Sequence, residues 1–350
     1  MAQDEKMILS GKALAEASKA CAAAADELLP REEEKRRPNL VGVGVGVKWK
    51  NGTPTGEPAV LALVTTKVER DALSSKDLVP PKVGNMQTDV LAIGIPLAGG
   101  GQPLAVGTQT LGRRIRPAEG GYSVGHVAIT AGTIATCAYD IQPGGGTNPP
   151  QPGVGIPSRY YILSNNHVLA NSNDANLGDP VLQPGPFDGG VNPADRIASL
   201  SRFVPITFQP PVPVGNHNNL VDAAIAEGQF HDLDREIYWT GYVRGWRRRA
   251  GVTVGTIVQK TGRTTNYTTG RITAINATVD VGYGGGRVAR FRDQIITTNM
   301  SAGGDSGSLV TTLDDVAVGL LFAGSAVATI LNQIEHVRSL LRVEVAEQIL

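Results

Sequence analysis

The sequence predicts a mainly β fold preceded by an N-terminal helix and a small α/β unit. Three observations carry that expectation. From Gly112 onward, short β-branched and apolar runs alternate with turn residues. With 43 Gly, 22 Pro and only 5% aromatics in 350 residues, the composition suits many short strands joined by tight turns. The first hundred residues read differently, as an Ala-rich segment followed by period-two alternation.

In chain order, residues 7–29 predict a helix with a loose apolar face of Ile8, Leu9, Ala13, Ala17 and Leu28. Arg31 to Arg37 is a charged linker, and Pro38 ends any helix there. Residues 38–98 predict a β-β-α-β unit. Val41 to Val47 alternates Val and Gly, Asn51-Gly52 marks a hairpin, and Pro58 to Thr66 is the return strand. Lys67 to Leu78 reads as helix and Thr88 to Ile93 as strand. The Gly-x-Gly-x-Gly run lacks a following helix and the spacing of a phosphate loop, so no nucleotide is expected there.

The strand-rich body divides into residues 112–236 and 237–330. The first group of strands is Val124–Cys137, Tyr160–Ser164, Arg196–Val204 and Val221–Ala226. The second is Val243–Gln259, Thr268–Val281, Arg287–Thr298, Ser308–Thr311 and Val316–Ala323. Long Pro/Gly/Asn loops fall at 141–158 and 205–219. Residues 331–350 predict a closing helix with Ile334, Val337, Leu340 and Leu341 on one face.

Charge is balanced, with Lys+Arg 32 against Asp+Glu 32, which argues against a nucleic-acid partner. No apolar run approaches the roughly 18 residues of a membrane span. The start lacks the basic and apolar regions of a secretory signal, and Cys21 and Cys137 are the only cysteines. A cytoplasmic location follows as the expectation, with a Cys21–Cys137 bridge as the minor alternative. The five histidines lack metal-ligand spacing, so neither a metal nor a cofactor is expected.

The most informative stretch is Met300-Ser-Ala-Gly-Gly-Asp-Ser-Gly-Ser308. Gly304 and Gly307 let the backbone bend tightly around Ser306. The N–H groups of Gly304 and Ser306 can converge where an oxyanion would form. Serine needs a base and a group that orients the base. His167, in Ser164-Asn-Asn-His-Val-Leu-Ala170, and Asp222, in Asn218-Asn-Leu-Val-Asp-Ala-Ala-Ile-Ala226, precede it in the order His…Asp…Ser. Asp174, Asp195, Asp232 and Asp234 compete for the aspartate role. His126, His217, His231 and His336 have no comparable context, and His217 reads as a solvated loop residue.

These motifs give residues 112 to 343 a resemblance to the bacterial chymotrypsin/trypsin-like serine proteases. Lys260-Thr-Gly-Arg-Thr-Thr-Asn-Tyr267 and Gly270-Arg-Ile-Thr273 are similar to the alpha-lytic type. Gln183-Pro-Gly-Pro-Phe-Asp-Gly-Gly190 resembles the narrow-leaf type of trypsin-like protein. The resemblance implies a double β-barrel, with His167 and Asp222 on the first barrel and Ser306 on the second. It favours Asp222 because that residue precedes a compact apolar strand. It places residues 38–98 where relatives carry a folding pro-region, as a pro-like or docking unit.

It further implies that Asp305 is a buried carboxylate held by an internal cation, Lys260 or Arg263. Met300 would lie at the specificity-pocket floor and Phe322, Ala323 and Gly324 along its wall. With no acid at that floor, small or medium apolar side chains are expected before the cut. Ser308 and Phe322-Ala-Gly324 depart from the common pattern. The implied activity is endopeptidase action on protein or peptide substrates, with a homo-oligomer or regulatory protein partner left open. The alternative is a protease-fold interaction module with a locked or inactive site.

Overall fold

The computed structural model describes residues 4–99, 111–141 and 159–345. Its C-terminal strands form a ring. Ile257–Gly262 pairs with Leu309–Thr312, and the path continues through Val316–Gly324, Ala328–Gln333, Arg287–Thr298 and Asn266–Tyr283. Asn266–Tyr283 then pairs back onto Ile257–Gly262, and every step is antiparallel. Closure satisfies backbone groups that an open sheet would leave at its edges. Neighbouring residues of these strands enter different cores. Ile295, Leu321 and Leu331 share one cluster, and Ile296, Phe322 and Ile330 another. Burial on both faces explains the unbroken apolar run of Val316–Gly324.

The other large sheet runs Val343–Glu344, Cys137–Asp140, Tyr160–Ser164, Ala224–Gly228, Arg196–Phe203, Pro180–Leu182, Ser123–His126 and Gly132–Thr133. Mainly β architecture with two barrel-like sheets and an N-terminal helix is thus what the chain adopts.

Residues 38–98 do not form a sheet of their own. Leu40–Lys50 and Thr53–Val64 are a hairpin turned at Asn51 and Gly52, both at positive φ. The outer edge of Leu40–Lys50 pairs antiparallel with Asn266–Tyr283, so the unit continues the sheet of the ring. Met86–Ala92 adds in parallel to Thr53–Val64. The repeated glycines serve this close approach. A Cβ at Gly42 would lie 2.6 Å from the Thr278 carbonyl oxygen, and one at Gly46 would lie 2.7 Å from that of Thr273. Val43, Val45 and Val47 face the other way, against the helix Gly11–Leu28. That helix buries Leu14, Ala17, Cys21, Ala24, Ala25 and Leu28, which share one face of the helix.

Several expected elements differ. The helix expected over 67–78 is one 3-10 turn, Arg70–Ala72. Ser74 instead donates to the Asp77 carboxylate at 2.5 Å, a local bond that competes with helix. The N-terminal helix begins at Gly11, and Ile8, expected on its apolar face, is exposed. Val124–Cys137 is broken into short strands, and Val243–Gln259 into Gly245–Trp246 and Ile257–Gly262 around an Arg-rich turn. The closing helix spans only Ile334–Leu341. Arg342 ends it in the left-handed region, and Leu340 is exposed. Val343–Glu344 then pairs with Cys137–Asp140, tying the chain end to the first sheet. Of that expected helix, residues 346–350 lie outside the described residues, as does the loop 142–158. His217, expected in solvent, is buried, with Nε2 bonded to the Val212 carbonyl at 2.8 Å.

Cys21 and Cys137 are free and buried in separate cores. Burial pushes the Cys21 thiol up to about 12, so it stays protonated. A thiol reagent should therefore react slowly with the native chain and count two thiols after denaturation. A denatured count of zero would mean that the cysteines are bridged.

Candidate active site

His167 lies where a strand of the first sheet turns into a short helix. Tyr160–Ser164 ends, Asn165 precedes the helix, and Asn166–Leu169 forms it. The polar residues of this run are wholly buried and each is tied down. Ser164 Oγ donates to the Thr133 carbonyl at 2.7 Å. Asn165 Nδ2 donates to the Asp222 carbonyl at 2.7 Å, and Asn166 Nδ2 to the Val204 carbonyl at 2.8 Å. These donations make the run a scaffold that fixes the imidazole, although among the described residues Asn165 Oδ1 is buried without a partner.

Asp222 precedes the strand Ala224–Gly228 and is fully buried. Its Oδ1 accepts the His167 backbone N–H at 3.1 Å, and its Oδ2 accepts His167 Nδ1–H at 2.6 Å. Tyr283 donates its hydroxyl to the same Oδ2 at 2.6 Å. The Asp222 backbone N–H donates to Asn332 Oδ1 at 3.0 Å, and Asn332 Nδ2 donates to Gln294 Oε1 at 2.7 Å. A carboxylate carried by the first sheet is thus held by side chains of the second. Asp174 and Asp195 instead pair with Arg287 and Arg114.

Ser306 sits in a turn that Gly304 and Gly307 enter at φ values of 95° and 98°. At Gly307 a side chain would overlap the Ser164 hydroxyl and the Thr133 carbonyl, so glycine is required there. The first sheet grips the turn through Thr133, whose N–H donates to the Ser306 carbonyl at 2.7 Å. Its hydroxyl donates to the Gly304 carbonyl at 2.9 Å. Ser306 Oγ faces the Phe322 carbonyl at 3.4 Å. Among the described residues, His167 Nε2 is buried without a hydrogen-bond partner. Both His167 and Gly304 line a cavity of about 230 Å³.

Asp305 points away from the cavity into a cage of donors. The Thr264 and Thr265 N–H groups reach Oδ1 at 2.9 and 3.1 Å, and the Ala302 N–H reaches Oδ2 at 2.9 Å. The Thr265 hydroxyl donates to Oδ2 at 2.7 Å. Lys260 Nζ lies 3.4 Å from Oδ2, with neither side chain exposed, and also donates to the Thr265 hydroxyl. Burial pulls the Lys260 ammonium below its ordinary range, and the Asp305 carboxylate opposes that shift. Arg263 is not a partner of Asp305. Its guanidinium forms a two-pronged pair with Asp188 and lies 5.0 Å over the Phe187 ring. Asp188 belongs to the Gln183–Gly190 run, and its Oδ2 also accepts the Ser123 hydroxyl at 2.5 Å.

Met300 and Phe322–Gly324, the expected floor and wall of a specificity pocket, are all buried. Met300 is buried in the core beside Ile272 and Val310, and the Phe322 ring packs 4.7 Å from the Phe291 ring. What Phe322, Ala323 and Gly324 present to the site is backbone. That edge is occupied by the chain itself. Leu97–Ala98 pairs antiparallel with it, Leu97 opposite Gly324 and Ala98 opposite Ala323. The Gly99 N–H reaches the Phe322 carbonyl at 3.4 Å, the oxygen that Ser306 Oγ also faces. Gly99 has φ 65°, and a Cβ there would stand 3.7 Å from His167 Nε2. Sequence reasoning missed Tyr283, Asp188 and Leu97–Gly99. Only Asp188 carried a signal, as part of the Gln183–Gly190 run.

No family model matches the chain, and no curated protein matches it. Among solved structures it is similar to Thermobifida fusca protease A, at 16% identity and TM-score 0.42, over 65% of this chain and 96% of that one. It is also similar to Nocardiopsis protease, at 18% and 0.42, over 65% and 97%. A glutamic-acid-specific serine protease matches at 20% and 0.41, over 65% and 98%. Likeness at that level is silent on chemistry.

The Asp305 cage predicts unequal losses. Asp305→Ala strands a buried ammonium and should cost about 3–5 kcal/mol of stability. Lys260→Met leaves the carboxylate its N–H and hydroxyl donors and should cost less. Urea unfolding of both variants checks the order, and the reverse order would contradict it.

Proposed function

We propose that this chain is a serine endopeptidase in which Ser306 is the nucleophile, His167 the general base and Asp222 the residue that orients it. The observation that carries the reading is the buried Asp222–His167 pair. The carboxylate accepts a hydrogen bond from Nδ1–H at 2.6 Å, which keeps the proton on Nδ1 and leaves the Nε2 lone pair beside the Ser306 turn. The mechanism requires the Ser306 hydroxyl to leave the Phe322 carbonyl and donate to Nε2, which has no partner among the described residues. As Oγ bonds to the substrate carbonyl carbon, its proton passes to Nε2 and the carbonyl oxygen becomes an oxyanion. The Gly304 and Ser306 N–H groups receive that oxyanion. The imidazolium then protonates the leaving amine as the C–N bond breaks. Water, deprotonated by His167, adds to the acyl carbon, and the same proton returns to Ser306 Oγ as the acid is released. Asp305 with Lys260 holds the oxyanion turn from behind, and Arg263 with Asp188 borders the cavity.

Protein or peptide substrates pair, on this reading, with the backbone of Phe322, Ala323 and Gly324, and small apolar residues precede the cut. The segment Leu97–Gly99 on that edge supports control of access by the N-terminal region. It also favours the second reading, a protease fold whose site stays locked. No helix among the described residues is long and apolar enough to cross a membrane, and a cytoplasmic setting is part of the proposal.

Fluorophosphonate labelling followed by intact mass tests both readings. Wild type should gain one adduct, and Ser306→Ala and His167→Ala should lose it, since triad losses lower turnover by roughly 10⁶-fold. Gly99→Pro removes the N–H that reaches Phe322 and cannot adopt a positive φ, so it should label faster than wild type. A folded Gly99→Pro variant that never labels would favour the inactive module.

A further inference from the structure

We infer that Tyr283 is a positioning residue of this site: its hydroxyl holds the Asp222 oxygen that accepts the His167 Nδ1–H hydrogen bond. The inference rests on the serine-protease reading above and adds a fourth side chain to it. Among the described residues, Asp222 Oδ2 has two side-chain donors, His167 Nδ1 and Tyr283 Oη, both at 2.6 Å. Without the phenol, that buried oxygen would be held by the imidazole alone, the group it is meant to orient. The strand beside Ser306 offers no substitute, because at Phe322 it presents only a carbonyl and an apolar ring. The donor comes instead from the far end of Asn266–Tyr283.

The Tyr283 ring is fixed on several sides. It meets the Phe208 ring edge-on at 5.0 Å and 73°, stacks on Phe291 at 6.2 Å and 25°, and stands edge-on to the His167 ring at 6.0 Å. A phenol so held presents its hydroxyl in one direction. Burial, then the adjacent Asp222 anion and its hydrogen bond, push the phenol well above its ordinary range, so it stays protonated and remains a donor. The other charged groups nearby are engaged elsewhere. Arg287 lies 4.8 Å over the Phe208 ring and pairs with Asp174, and Arg263 across the cavity pairs with Asp188.

Tyr283→Phe keeps the ring and removes only the donor. The reading is the rate constant for fluorophosphonate labelling of Ser306 across pH, beside Phe208→Leu, which loosens the ring but keeps the hydroxyl. Tyr283→Phe should lower the plateau rate roughly ten-fold, the scale of one hydrogen bond to a charged group. Its acid limb should move to higher pH, because a carboxylate that no longer shares its charge with the phenol favours the imidazolium. Phe208→Leu should leave the limb in place. Wild-type labelling with an unchanged rate and limb in Tyr283→Phe would overturn the inference, even if the melting temperature fell. If neither the wild type nor Gly99→Pro labels, the protease reading fails by itself. The His167 titration followed by NMR then decides, and an unshifted titration in Tyr283→Phe overturns the positioning role.

Discussion

The Asp222 carboxylate is the constraint on which the site depends. A fully buried anion is costly unless its oxygens are filled by donors. Here the donors come from both halves of the molecule: the His167 backbone and imidazole from the first sheet, and Tyr283 from the second. Asn332 adds a grip on the Asp222 backbone. The two sheets must therefore dock in one register for the charge to be tolerated at all. Thr133, reaching from the first sheet to the Ser306 turn, fixes that same register from the other side. On the proposed reading, positioning of base and nucleophile and satisfaction of buried polar groups are one requirement.

The N-terminal region is joined to this arrangement at two places. Leu40–Lys50 extends the sheet of the ring through Asn266–Tyr283, the strand that ends in Tyr283. Further along, Gly282 donates its N–H to the Pro96 carbonyl, and Leu97–Ala98 lies on Val316–Gly324 beside Ser306. A segment so placed competes directly with any extended peptide for the same backbone groups. The helix Gly11–Leu28 closes the far face by burying its small side chains on the Val43, Val45 and Val47 side of the hairpin.

Much of this was legible from local chemistry. Strand patterns such as Arg287–Thr298 and Tyr160–Ser164 show in the sequence because apolar alternation and flanking turn residues are local. The Asn51-Gly52 turn shows for the same reason. His167, Asp222 and Ser306 were legible as short motifs, and the structure brings His167 and Asp222 into contact. Lys260 beside Asp305 was anticipated, but Arg263 went to Asp188, because which carboxylate a guanidinium meets is decided by tertiary approach. Tyr283 was invisible for the same reason, being 61 residues from Asp222 and in no motif. The missing helix at 67–78 and the merging of residues 38–98 into the larger sheet are again matters of context. Propensity names an element but not the edge it pairs with.

The most direct test is a rapid-mixing experiment with an activated acyl ester, read by intact mass. The account predicts one acyl group per chain, located on Ser306, which appears in a burst and then decays as water completes the cycle. The adduct should be absent in Ser306→Ala. A burst of equal size in Ser306→Ala, or no acyl adduct on a folded wild type and a folded Gly99→Pro variant, would contradict it.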